Sequence, residues 1–493
     1  MKKLYYILFA FLIILTGCTE FLTLEPQDEL VKEEYWKTED DVKAVLLSDY
    51  ARMGDFLDEI FKWAELRGGL FTPNSRRVSD ESYLFFNYNI DETNILVKWN
   101  DFYKVINIAN TIIDYAPLAK ENDKTFSDEA SNGYMAEAYF IRSLSYFYLV
   151  KAFKDVPLIL HPYATDQEDL NVEKSDEKVI IKQLIEDLNY VLDNNLAFKT
   201  DYFSTPALKK GRANVNAIYA LLADIYLWNN DYSDCIATCE KIKDVYLVDG
   251  NDYFSLYAND GNSLESIFEL QFNYAKYRTT NRLYYMTSQT SASSFEYLIS
   301  EYMMELYGRT DLREYNGQEL VSYAISDVAY LWKYVGNAPF GTVNGPINRN
   351  NITSDANWIF YRYAEIYLME AEAYAEIDDY SNAIETLNVI KKRANIDPFP
   401  ESTDKKAILK EILDERAREF VGEGKRWFDL VRITRRDIDN RLNFISNAVI
   451  PNVDPMKRSF VNTRINDMNT WFLPIYYTEL DLNKNLKQNP SYE

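Results

Sequence analysis

Residues 223–238 (ADIYLWNNDYSDCIAT) and 371–386 (AEAYAEIDDYSNAIET) align without a gap, matching Tyr226 with Tyr374, Asp231 with Asp379, Tyr232 with Tyr380 and Ile236 with Ile384. Self-similarity of this kind marks a repeated supersecondary unit. In each copy a helix carrying a small residue (Ala223, Ala371) and an aromatic (Tyr226, Tyr374) runs into a polar turn, and a second helix opens near Ser233 or Ser381. One such pair cannot bury its apolar face alone, so further, more degraded copies are expected, stacked into a helical scaffold.

That rhythm resembles tetratricopeptide units, in which small residues let paired helices approach. Periodicity supplies the degraded copies. Residues 99–113 place Trp99, Phe102, Ile106 and Ala109 on one face, closing before Pro117, and residues 133–153 form the partner. Residues 176–194 give a third helix that pairs with the clear repeat at 214–243. The second clear repeat spans 361–395, and another helix runs from Lys405 to about Val421. Before the stack, Thr38 followed by Asp41 predicts a capped helix start.

Two stretches break the rhythm. Residues 63–95 hold Gly68, Gly69, Pro73 and many aromatics, and read as a long loop. Residues 245–355 read as an irregular subdomain built on the scaffold, with a strand at 267–274 where Phe268, Leu270, Phe272 and Tyr274 alternate with polar residues. The expected fold class is therefore mainly α: a tetratricopeptide-like helical-pair scaffold (about 99–243 and 361–432) with a smaller, loop-rich subdomain containing short strands.

The N-terminus carries an address. Lys2 and Lys3 precede an apolar run from Leu4 to Leu15, too short to span a bilayer, and Leu15-Thr16-Gly17-Cys18 follows. This resembles a bacterial lipoprotein leader. Residues 1–17 would be removed, Cys18 acylated, and residues 18–34 would tether a single body, 35–493, to a membrane surface.

Charge and rare residues narrow the function. The net charge of −24 argues against nucleic acid and against docking on anionic lipid. Cys235 and Cys239 lie four apart on one helix face, poor disulfide geometry, and read as core residues without a metal partner. The single histidine, His161, disfavours a multi-histidine metal site, and any hydrolase triad would rest on it alone. No metal, cofactor or catalytic residue is expected.

The segment EILDERAREFVGEGKRWFDLVR, Glu411 to Arg432, resembles the signature of the SusD/RagB family of cell-surface nutrient-binding lipoproteins. YWKTEDDV at Tyr35, WNDFYKVINIAN at Trp99, AEAYFIRSLSYFYLVKAFKDVPLI at Ala136, RYAEIYLMEAEAY at Arg362, FLPIYYTEL and QNPSY fit the same family in the same order. The resemblance thins at 63–95 and 245–355, where ligand specificity is expected. It implies outer-membrane anchoring facing outward and partnership with a TonB-dependent, SusC-like transporter. It also implies capture of oligosaccharides, or in some members oligopeptides, without catalysis.

Within the signature, Glu415, Glu419, Glu423 and Asp429 lie near Arg416, Arg418, Arg426 and Arg432. Paired carboxylates suit glycoside hydrolysis. Helical spacing of acids and arginines, however, reads first as structural ion pairing. Sugar capture needs flat aromatic faces for C–H groups and planar polar partners for hydroxyls. With 40 tyrosines the protein looks supplied beyond the needs of a core. Two clusters combine these types: Trp63, Arg67, Phe71, Asn74, Arg76 and Tyr83; and Tyr274, Tyr277, Arg278, Asn281, Tyr284 and Tyr285. Trp332, Tyr334 and Phe340 form a third candidate.

Overall fold

The computed structural model describes residues 35–74, 76–163, 170–258, 260–287, 296–307, 310–314, 321–324, 328–339, 348–349 and 354–493. The expected leader, Cys18, the tether and Phe340 lie outside the described residues, as does the side chain of Tyr277. Among the described residues the protein is mainly helical, with four two-stranded antiparallel sheets.

The first helix of the body, Glu39–Arg52, starts as its sequence requires. Thr38 Oγ1 accepts the Asp41 N–H at 3.3 Å, and Asp41 Oδ2 accepts the Thr38 N–H at 2.8 Å, a reciprocal cap. Helices Asn100–Asn122 and Asp128–Phe153 pack as the first pair, with Glu177–Asp193 and Val215–Asn229 stacked beyond them. From Phe140 to Phe153 the second helix is buried on nearly every face, the state of a helix at the centre of a large core. Its polar residues are paired accordingly. Glu137 accepts from Arg212 at 2.6 and 2.7 Å, and Arg142 donates to Asp187 at 2.6 Å.

The two clear repeats share one turn. Asp231 N–H donates to Tyr226 C=O and Asp379 N–H to Tyr374 C=O, each at 2.9 Å, after the left-handed residues Asn230 (φ +71°) and Asp378 (φ +64°). Asn and Asp tolerate that conformation because a short polar side chain bonds locally. The second helices, Tyr232–Cys239 and Tyr380–Arg393, open one residue ahead of the serines. Helix Tyr232–Cys239 packs against Tyr363–Glu376, so the copies are neighbours in space although the irregular stretch separates them in sequence. That stretch is an excursion with pinned ends. Strand Ser266–Leu270 leaves and Trp358–Arg362 returns, paired antiparallel with Ser266 opposite Arg362 and Leu270 opposite Trp358.

Four expectations are corrected. The helix expected to close before Pro117 continues to Asn122. The missing Pro117 N–H forfeits one bond near the C-terminal end, while burial of Ala116 and Ala119 holds the last turns. The stretch expected as a loop at 63–95 begins in the last turn of helix Leu57–Glu65 and contains strand Phe71–Pro73 and helix Asp80–Phe86, the last capped by Ser79. These elements are too short for periodicity to show, and tertiary burial of Trp63, Phe71, Phe85 and Phe86 fixes them instead. Strand Ser266–Leu270 is buried on both faces, because Glu269 points inward to Ser266 Oγ, Asn357 Nδ2 (2.9 Å) and the Asn262 N–H.

The fourth concerns the tyrosines. Many belong to the core, where the phenol carries a hydrogen bond inward: Tyr307 to Arg418 C=O at 2.9 Å, Tyr257 to Glu423 at 2.8 Å, Tyr361 to Asp224 at 3.1 Å. Buried polar groups need partners, and tyrosine supplies one together with a large apolar ring. Cys235 and Cys239 are free and buried, as expected.

Candidate ligand-binding site

The signature carboxylates are wired into the interior. Helix Lys405–Phe420 ends at Gly422 (φ +77°) and Gly424 (φ +71°), and helix Arg426–Thr434 follows. Glu415 meets Arg313 at 2.8 Å and Arg418 at 2.7 Å. Glu419 meets Arg313 at 2.8 Å, Arg393 at 2.5 Å and Arg362. Glu423 meets Lys333 at 2.9 Å and Arg362 at 3.0 Å, and Asp429 meets Arg416 and Arg432, each at 2.8 Å. Only Glu415–Arg418 and Asp429–Arg432 are the within-helix pairs expected from spacing. The others reach across the fold.

Burial pushes these carboxyls up, but the facing arginines outweigh it. Glu415 and Asp429 are held at about 2, and Glu423 also at about 2 with help from Lys333. A glycosidase needs one carboxylic acid kept protonated near neutrality beside a carboxylate with access to substrate. These acids are ionised, buried and fully engaged. His161 is exposed, 3.5 Å from Asp114, far from the enclosed setting of a triad. Among the described residues no group of three or more His, Cys, Asp or Glu is arranged to hold a metal.

The two aromatic clusters meet. Strand Phe71–Pro73 pairs with Tyr297–Ile299; at its end Asn74 N–H donates to Glu296 C=O at 3.0 Å, and Glu296 N–H donates to Met286 C=O at 3.1 Å. Arg282 closes the seam, 3.1 Å from Asp58 and 3.6 Å from Glu296. On the two segments that this seam joins, Arg76, Arg77, Arg278, Arg282 and Tyr285 are exposed, and Tyr274 is half-buried with the Arg278 guanidinium 4.8 Å from its ring centroid. Asn74 and Asn281 shape the backbone of these segments. Asn74 Oδ1 accepts the Arg76 N–H at 3.2 Å, and Asn281 donates to Ala356 C=O at 2.7 Å while accepting from Leu283 N–H at 3.1 Å.

Several nominated rings face inward. Trp63 is fully buried, stacked on Phe102 at 5.1 Å, its indole N–H on Leu96 C=O at 2.6 Å. Tyr284 joins a second core with Tyr253, Tyr257 and Trp332, and Tyr334 donates to Gly422 C=O at 3.0 Å. These rings hold the scaffold under the site and present no face to solvent. Aromatic type in an irregular segment does not separate core from surface when the segment itself is folded.

Beside the seam a cleft of about 180 Å³ is lined by Arg67, Phe71, Thr72, Tyr83, Asn87, Asn452 and Asp454, among others. Lys457 holds the lining residue Tyr83, donating to its Oη at 3.0 Å with its ammonium 4.3 Å from the ring centroid. Asn452, Asp454 and Lys457 escape sequence reading. They follow helix Ile438–Val449 in a polar stretch without local signal, and only the fold brings them against Tyr83.

Comparison with known proteins bears on this geometry. A model of the SusD family matches residues 225–492, and one described as starch-binding associating with outer membrane matches residues 40–227. The chain belongs to the SusD family. Proteins of the SusD family bind without catalysis, in agreement with the sequestered signature carboxylates. SusD-like protein P38 of Formosa agariphila is 24% identical over 549 residues, covering 100% of both proteins. A SusD-like protein of Bacteroides ovatus is 24% identical over 91% of this protein and 85% of its own length. Among solved structures, a SusD superfamily protein from Bacteroides thetaiotaomicron superposes with TM-score 0.74 at 20% identity, over 93% of this protein and 99% of its own length. A laminarin binding SusD-like protein superposes with TM-score 0.70 at 21% identity, over 92% and 100%. These structures share the SusD fold seen here.

Proposed function

We propose that this protein is a cell-surface lipoprotein, anchored in the outer membrane through Cys18, that captures oligosaccharides and passes them to a TonB-dependent, SusC-like transporter. The observation that carries the reading is the pairing of two segments distant in sequence, which between them hold Tyr285 and the arginines 76, 278 and 282 exposed and Tyr274 half-buried. Ring faces take pyranose C–H groups, and guanidinium and amide groups take hydroxyls. A relative described as laminarin binding and another described as a sugar binding protein share the fold, which supports a glycan as cargo.

The cleft is smaller than the roughly 300–1,000 Å³ of small-molecule pockets, so binding there rests on an open surface with one small recess. Isothermal titration against a panel of polysaccharide fragments and oligopeptides tests the assignment. Saturable, metal-independent binding of a glycan supports it. Binding of peptides with indifference to every glycan would make the protein an oligopeptide receptor of the same architecture. Co-purification with a barrel transporter, lost when Cys18 is changed to Ala, tests the anchoring and the partnership.

A further inference from the structure

A second cleft, of about 440 Å³, is lined by Lys98, Asn100, Asp101, Tyr476, Thr478 and Glu479. It forms where the start of helix Asn100–Asn122 meets the segment that leads into the short helix Tyr477–Leu482, and it shares no lining residue with the cleft beside the seam. Its volume falls within the roughly 300–1,000 Å³ of small-molecule sites. The C-terminal wall is fixed from behind. Leu473 N–H donates to Ala152 C=O at 2.8 Å, Ile475 N–H to Gln488 Oε1 at 2.8 Å and Tyr477 N–H to Glu92 C=O at 3.0 Å. A wall held in this way needs little ordering when a ligand arrives.

The polar groups of this lining are open and uncommitted. Lys98 is half-buried, has no carboxylate within ion-pair distance among the described residues, and stands with its ammonium 4.7 Å from the Tyr476 ring centroid. The Thr478 hydroxyl and the Glu479 carboxylate make no hydrogen bond to a described residue, and both still meet water. Asn100 is exposed and gives its amide N–H to Asp101 Oδ1 at 2.9 Å, which leaves its own oxygen to accept. Asp101 is balanced by Lys104 at 2.8 Å, so the charges of the cleft cancel, with Lys98 set against Glu479. Tyr477, between two lining residues, is 42% exposed, its ring 4.8 Å from that of Tyr476.

A charged ligand that pairs with Lys98 or with Glu479 meets the other with like sign. A sugar hydroxyl is donor and acceptor at once and can use both, and an exposed tyrosine ring takes the C–H face of a pyranose. We propose that this cleft is a second saccharide subsite, taking an uncharged sugar unit with its C–H face on Tyr477 and its hydroxyls on Lys98, Asn100, Thr478 and Glu479. This deepens the glycan-capture reading and rests on it: the seam and the cleft would hold two separate stretches of sugar.

The test titrates the purified protein with neutral fragments of laminarin, starch and xylan and with two charged fragments, oligogalacturonate and a sulfated galactan. For the neutral fragment bound most tightly, backbone hydrogen exchange is then followed by mass spectrometry. Expected is slowed exchange at saturation in the peptides that contain Lys98–Asp101 and Tyr476–Glu479. Tyr477→Ala and Glu479→Gln, both at solvent-reached positions, should each weaken that fragment about three- to tenfold with melting temperatures within about two degrees of the parent. A Tyr274→Ala/Tyr285→Ala double variant should keep the slowed exchange at Tyr476–Glu479 when the sugar concentration is raised, which separates the cleft from the seam. Unchanged exchange in both peptides at saturation, with affinity indifferent to Tyr477→Ala and Glu479→Gln, would overturn the second subsite and leave capture at the seam standing. Binding of the charged fragments alone would do the same. Binding of oligopeptides with no saccharide bound at all would overturn both.

Discussion

Arg362 ties the return of the excursion to the end of the signature helix. Its Nη2 donates to the Glu419 backbone carbonyl at 2.8 Å, its Nη1 reaches the Glu419 carboxylate, and its Nε meets Glu423 at 3.0 Å. Arg362 is also the last residue of the strand that leads into helix Tyr363–Glu376. Removing one side of a buried pair strands the other. Arg362→Leu should therefore destabilise the protein by about 3–5 kcal/mol, read as a lower urea midpoint at unchanged slope. If the midpoint does not move, the network is not holding the two regions together.

The same network sets the acid limit of stability. Glu415, Glu423 and Asp429 are held at about 2 in the fold, against about 4 for carboxylates in the unfolded state. Depressed carboxyls stabilise the fold above the unfolded value, and that contribution is lost as pH falls through it toward 2. Each is worth roughly 2–3 kcal/mol. The melting temperature should drop steeply between about pH 4 and 2. Glu423→Gln should lower it at pH 7 and flatten the acid limb.

Exposed and buried rings should part company under mutation. Tyr285→Ala and Tyr274→Ala are expected to weaken glycan binding about tenfold each, with melting temperatures within a degree or two of the parent. Trp63→Ala should do the reverse, costing about 3–5 kcal/mol of stability while binding persists in whatever remains folded. Paired calorimetry and thermal melts read both. Loss of binding without loss of stability at Trp63 would contradict the site drawn here.

Gly424 carries a turn that no other residue fits. At φ +71°, an added Cβ would stand 2.8 Å from Trp358 Cζ2 and 2.9 Å from Ile60 Cγ2, and its N–H is given to Glu65 at 2.8 Å. Gly424→Ala should cost about 2–4 kcal/mol from left-handed strain plus overpacking, measured by denaturant unfolding.

What the sequence disclosed follows from the range of the forces involved. The Thr38–Asp41 cap and the turn shared by Tyr226–Asp231 and Tyr374–Asp379 are made by residues within five positions of one another, and both were legible. The family resemblance carried the class, through motifs distributed along nearly the whole sequence. Burial was not legible where elements are short: Trp63 and Tyr284 sit in irregular sequence yet fill cores, because a ring's fate depends on what arrives from afar. The partners of Glu419 come from Arg313, Arg362 and Arg393, and Lys457 meets Tyr83 across 374 positions. No local pattern encodes such meetings. The nominated arginines Arg76 and Arg278 are exposed, whereas Arg67 lies within, its Nη1 donating to Trp471 C=O at 3.0 Å.

The clasp between strands Ser266–Leu270 and Trp358–Arg362 has an evolutionary corollary. A segment entering and leaving a scaffold through adjacent strands behaves as an exchangeable cartridge, since lengthening a closed loop costs little. Descendants confronting unfamiliar polymers could rewrite those parts of residues 271–357 that neither pair with Phe71–Pro73 nor reach the signature region through Tyr307 and Tyr334. Two cations inside the cartridge are exempt from that freedom: Arg313 and Lys333 neutralise Glu415, Glu419 and Glu423, and any replacement has to return a positive charge to each place.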